Sequence, residues 1–160
     1  MTRPPVPTRL REFVKDVLLE EDDEHVCVTV KLRCPRCGGT KFVLYWQHLR
    51  EAGRDIETSP VWIACHACRY YALLFDSNCE GANGMADEGP VRIPDCKVKA
   101  YDGAGLAGYA VDVFVQFDSH DDPAAPDWKE QVNPDEFDWF SILVEQPDGS
   151  MDGAIDFETA

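Results

Sequence analysis

The sequence predicts an α+β fold: an N-terminal helix, a small module built on four cysteines, and an antiparallel acidic β-module. Three observations predict it. Leu10, Phe13, Val14, Val17 and Leu18 recur at helical spacing. Two C-x-x-C steps, Cys34–Cys37 and Cys65–Cys68, each lie beside a run of β-formers. Further on, short alternating runs are separated by turn residues and acids.

Taken in order, Thr8 is placed to cap the helix, and Arg11, Glu12, Lys15 and Asp16 form its polar face. The run Glu20-Glu21-Asp22-Asp23-Glu24 follows, and acids at a helix C-terminus oppose its dipole, so fraying is expected there. Val26, Val28, Val30 and Leu32 alternate with His25, Cys27, Thr29 and Lys31, the pattern of a half-buried strand. Lys41 to Leu49 is apolar on both faces and reads as a central strand. Residues 50–60 are polar and read as a loop. Val61-Trp62-Ile63 leads to the second cysteine pair, and Tyr70 to Phe75 leaves it as a strand. Residues 77–90 carry Gly81, Gly84, Gly89 and Pro90 among acids and form the expected linker between modules 1–76 and 91–160, which could share one sheet. Cys96 to Tyr101 is a short strand, Tyr109 to Phe117 a clear one, and 118–138 an acidic loop with three prolines. Trp139 to Glu145 and Met151 to Phe157 complete the module around a Pro147-Asp148-Gly149-Ser150 turn.

The two cysteine pairs have metal-ligand spacing. Two tight turns facing each other across a small sheet bring four thiolates to one tetrahedral ion, and soft sulfur selects zinc over magnesium or calcium. Pro35 and Gly38 suit such a turn. Two disulfides or a redox dithiol are the alternatives, and the redox one lacks the strand, C-x-x-C, helix order it needs. The motif Cys34-Pro35-Arg36-Cys37-Gly38-Gly39 resembles the first knuckle of the zinc-ribbon superfamily over residues 25–76, with Arg69 standing where ribbons often carry Gly. The resemblance implies one structural zinc held by Cys34, Cys37, Cys65 and Cys68, and no activity of its own. A site with four protein thiolates leaves no open position for water or substrate.

Charge narrows the function. The chain of 160 residues has a net charge of −15. Residues 1–24 carry −3, residues 25–75 carry +4 and residues 76–160 carry −16. Four thiolates and one zinc would lower the middle segment to about +2. Such a chain repels a free polyanion and attracts a basic partner. The N-terminus lacks the apolar core of a signal peptide, no apolar run is long enough to span a membrane, and Cys27, Cys79 and Cys96 are scattered. That pattern suits a reducing cytoplasm.

The first expectation is therefore a non-enzymatic module that binds a basic protein, in the manner of an acidic inhibitor, an immunity protein or an adaptor. Aromatics among carboxylates would form its interface: Asp121, Asp122, Trp128, Asp135, Glu136, Asp138 and Trp139. The alternative is a nucleic-acid-associated ribbon that contacts phosphates through Arg36, Arg50, Arg54 and Arg69, with Lys31, Arg33 and Lys41 nearby. Its bases would stack on Tyr45, Trp46, Tyr70 or Tyr71. Gly103-Ala-Gly105-Leu-Ala-Gly108 matches a dinucleotide fingerprint but precedes a strand, not a helix, and reads as a turn. His120-Asp121-Asp122 is the weakly supported acid–base candidate.

Overall fold

The computed structural model describes residues 3–51, 54–76, 97–100, 108–119 and 127–158. Among the described residues, nine strands form two antiparallel sheets. The first has the order β1 (Val14–Glu21), β2 (His25–Leu32), β7 (Val111–Asp118), β8 (Trp139–Glu145), β9 (Met151–Glu158). The second has the order β5 (Tyr71–Phe75), β4 (Arg54–Cys65), β3 (Phe42–Glu51), β6 (Lys97–Ala100).

The fold is thus mostly β, and the predicted α+β class with an N-terminal helix is wrong. Among the described residues the only helical pieces are short 3-10 turns, the first at Thr8–Phe13. That turn accounts for part of the apolar stripe, because its period of three places Leu10 and Phe13 on one buried face. From Val14 the period changes to two. A bulge lies between Val14 and Asp16, after which Val17 sits opposite Val30 and Leu19 opposite Val28, while Leu18 is 56% exposed. The strand also removes the conflict between five acids and a helix dipole. Asp22 Oδ1 instead accepts the backbone N–H groups of Glu24 (2.9 Å) and His25 (2.7 Å), closing the β1–β2 hairpin. Thr8 caps nothing; its N–H and hydroxyl both donate to the Asp135 carboxylate at 2.7 Å.

A second correction concerns residues 50–60. The expected loop is mostly ladder, since β3 and β4 pair as far as Glu51 opposite Arg54 and Arg50 opposite Asp55. Alternation elsewhere is obeyed. Val26, Val28 and Val30 of β2, Val111, Val113 and Val115 of β7, and Phe140, Ile142 and Val144 of β8 are all buried.

The inner faces of both sheets contribute to one core. Phe75 of β5 stacks on Phe140 of β8 with centroids 4.2 Å apart and packs against Phe137 at 5.9 Å. Strand β2, from the cysteine-bearing half of the sequence, pairs with β7 from the acidic half. The expected linker, 77–90, lies outside the described residues.

Candidate metal centre and exposed faces

The two C-x-x-C steps become two equivalent turns. The first lies where the chain crosses from β2 to β3, and the second closes the β4–β5 hairpin. In each, the residue after the second cysteine donates its N–H to the carbonyl of the first: Gly38 to Cys34 and Arg69 to Cys65, both at 2.9 Å. Each of these residues has positive φ, +74° at Gly38 and +63° at Arg69. Arg69 therefore performs the glycine's task with a side chain that disfavours it. Cys34 N–H bonds Gly39 O at 2.7 Å, and Cys65 N–H bonds Tyr70 O at 2.8 Å, closing each loop.

Facing turns bring the four sulfurs together, all within 4.8 Å of one another. Across the turns, Cys34 and Cys68 Sγ are 3.5 Å apart, as are Cys37 and Cys65 Sγ. A disulfide needs about 2.05 Å, whereas four sulfurs at about 2.3 Å from a common tetrahedral centre lie about 3.8 Å from each other. The donor set thus fits a metal ion and not a pair of disulfides. Gly39 N–H donates to Cys37 Sγ at 3.4 Å, the kind of backbone contact that stabilises thiolate. Burial raises the Cys65 thiol, but the N–H groups of Cys68 and Ala67 and the neighbouring thiols outweigh it and bring it down to about 7. At Cys37 the Gly39 N–H lowers the pKa, yet competition with the Cys68 and Cys65 sulfurs pushes it up to about 12.

Two segments brace the turns. The N-terminal 3-10 turn sits against both, since Arg33 N–H bonds Phe13 O at 2.7 Å and the Phe13 ring lies 6.1 Å from Tyr70. On the other side, Phe42 and Tyr109 exchange backbone hydrogen bonds at 2.7 and 2.8 Å. Gly108 permits this approach. It has φ +69°, and a Cβ there would come within 3.2 Å of His66 Cβ and Phe42 O. This gives Gly108 a packing role; the rest of the G-x-G-x-x-G stretch lies outside the described residues. His66, inside the second turn, donates its backbone N–H to Lys41 O at 2.9 Å.

Of the acidic interface expected from sequence, two described carboxylates make internal hydrogen bonds. Asp135 holds Thr8, and the buried Asp138 accepts the Asp118 N–H at 2.7 Å. Trp128 is half-buried and packs on the core. Glu136 is exposed, and Trp139 is 36% exposed with its indole N–H donating to Ser141 Oγ at 2.7 Å. Asp121 and Asp122, with His120, lie outside the described residues. Arg36 and Arg69 are exposed beside the sulfurs. The backbone positions of Arg50 and Arg54 lie at the far end of the β3–β4 hairpin, roughly 35 Å along β4 from Cys65. The structure therefore does not bring the four arginines together.

Sequence reasoning missed Trp62. Tyr45 and Trp62 are cross-strand partners on the face of β3 and β4 opposite the core, and Tyr71 joins them from β5. Trp62 and Tyr71 stack with centroids 6.4 Å apart and planes 13° apart, and Tyr45 lies 6.2 Å from Tyr71. Tyr71 is 52% exposed. Its phenol is raised, first by burial and then by Tyr45. The available signal was register: Tyr45, Trp62 and Tyr71 each occupy the outward phase of their strand.

Comparison with protein-family models, with curated proteins and with solved structures finds no match. The four-cysteine cluster is consistent with a zinc ribbon, and the resemblance rests on it. Among the described residues no helix is long and apolar enough to cross a membrane.

Proposed function

We propose that this chain is a zinc-stapled, non-enzymatic binding module that engages a basic protein, as an inhibitor or adaptor, in the reducing cytoplasm. Cys34, Cys37, Cys65 and Cys68 hold one zinc as a ribbon does, and the ion holds the fold together without catalysing a reaction. The observation that carries the reading is the Tyr45–Tyr71–Trp62 cluster on the outer face of the second sheet, in a chain of net charge −15. Stacked rings at an exposed sheet face anchor a partner, and they attract guanidinium and ammonium groups through their π-faces. The anionic field selects a cationic partner and repels nucleic acid. This moves the interface from the acidic loop to the second sheet, with Trp139 and Glu136 as secondary contacts.

One observation favours nucleic acid instead: the same rings would stack bases, and Arg36 and Arg69 lie on the adjoining turns. The structural account of these arginines is charge compensation, since four thiolates and one zinc carry −2. Fluorescence anisotropy with an arginine-rich nonapeptide and a dT12 oligonucleotide separates the readings. The peptide should bind, Tyr71→Ala should weaken it about tenfold, and dT12 should not bind. Binding of dT12 with a steep salt dependence, lost in Arg36→Gln and Arg69→Gln, would reverse the assignment.

A further inference from the structure

In a chain with 30 acids and 15 bases, three cations and one acid line one cleft. Its volume is about 610 Å³, within the range of small-molecule sites. The cleft lies along β1, the edge strand of the first sheet, and its valines pack against the margin of the core. Its floor is apolar: Val14 and Val17 face inward from β1, and Val132 closes the opposite side. The N-terminal Pro4–Val6 segment forms one wall. Arg3, Arg11 and Lys129 line it, with Glu130 as the one acid.

None of the three cations is ion-paired with a carboxylate among the described residues. Arg11 Nε donates to Val6 O at 3.2 Å, which fixes the guanidinium at the wall and leaves its terminal nitrogens to other acceptors. Lys129 Nζ donates to Asp22 O and lies 5.8 Å from the centre of the Trp128 ring. The first keeps Arg11 at the cleft; the second draws the Lys129 ammonium toward the acidic β1–β2 turn. Carboxylates outnumber cations two to one in this chain, so Arg3 and Arg11 beside an apolar floor, without a carboxylate partner among the described residues, are unlike the rest of its charge distribution.

We propose that this cleft binds a small amphipathic anion: an apolar body on Val14, Val17 and Val132, with a carboxylate or phosphate head against Arg3 and Arg11. Guanidinium groups recognise either head by paired N–H donors. The site is separate from the aromatic face and does not depend on its assignment.

The test uses the zinc-loaded full chain with octanoate, octyl phosphate and octan-1-ol, by titration calorimetry and by methyl NMR of the valines. At least one anion should bind saturably and shift the methyls of Val14, Val17 and Val132, with octan-1-ol at least tenfold weaker. The stronger anion identifies the head group. The double variant Arg3→Gln/Arg11→Gln should lose about tenfold in anion affinity with the thermal midpoint unchanged. Absence of saturable binding by both anions at millimolar concentration, equal binding of octan-1-ol, or methyl shifts confined elsewhere would overturn the proposal. The methyl mapping stands on the wild-type chain, so it decides even if the variant is unstable.

Discussion

Gly39 offers the sharpest test of the metal centre. A Cβ built there lies 3.3 Å from both Cys37 Sγ and Cys65 Sγ, and 3.6 Å from Ala67 Cβ. Carbon and sulfur in ordinary contact need several tenths of an ångström more. Two sulfurs bound to one ion cannot both retreat without stretching the coordination. Gly39→Ala is thus an overpacking change aimed at the ligands, of about 1–3 kcal/mol, or roughly 5- to 150-fold in metal affinity. Gly38→Ala is the matched control. It has no atom within 4 Å of its Cβ, but its φ of +74° strains any side chain by about 1–2 kcal/mol. The control should lower thermal stability with a smaller effect on the ion. Competition with a chromophoric chelator gives zinc affinity, and cobalt substitution reports the tetrahedral sulfur geometry. Wild-type affinity and an unaltered cobalt spectrum in Gly39→Ala, or a larger loss of affinity in Gly38→Ala, would refute the geometry described for the four sulfurs.

Three further outcomes are expected. Arg69→Gly relieves a positive φ and should raise stability by about 0.5 kcal/mol, the strain relief being partly offset by the glycine's freedom in the unfolded chain; chemical denaturation measures it. Phe140→Ala removes the ring stacked on Phe75 and should cost about 3–5 kcal/mol by the same assay, with cooperative unfolding of both sheets together. At the β1–β2 turn, the Asp22 side chain raises His25 above 6.5, and the N–H groups of Glu24 and His25 hold Asp22 below 3.8. The His25 contribution is full below pH 6.5 and is lost as pH rises through its folded value. The Asp22 contribution is present above pH 3.8 and is lost as pH falls through its lowered value. NMR titration of His25 should give a value above 6.5 that falls toward it in Asp22→Asn.

The cysteine spacing and the valine alternation of β2, β7 and β8 were legible because one physical requirement dominated each. Four thiolates need two turns, and a half-buried strand needs a period of two. The N-terminus misled because Leu10, Phe13, Val14, Val17 and Leu18 satisfy a helix locally. What decides against the helix is pairing with β2 across the Asp22–Glu24 turn, a contact that helical spacing within residues 10–18 does not register. The burial of Asp138 was not legible because sequence does not show that a distant backbone N–H, at Asp118, takes it as acceptor. Trp62 passed unnoticed because Val61-Trp62-Ile63 reads only as the lead into the second cysteine pair, with no inward or outward phase given to its side chains.

The crossover at the first cysteine turn has a consequence for the order of events during folding. Strand β2 has a near neighbour in β1, but its other partner, β7, is more than eighty residues away in sequence. Closing that distance is entropically slow. An ion held by the four cysteines would join the exit of β2 to the β4–β5 hairpin and could seat one sheet against the other before β7 arrives. Metal supply would then govern how fast the chain folds as well as how stably it stays folded, and a chain made without zinc would linger with the β7-facing edge of β2 unpaired.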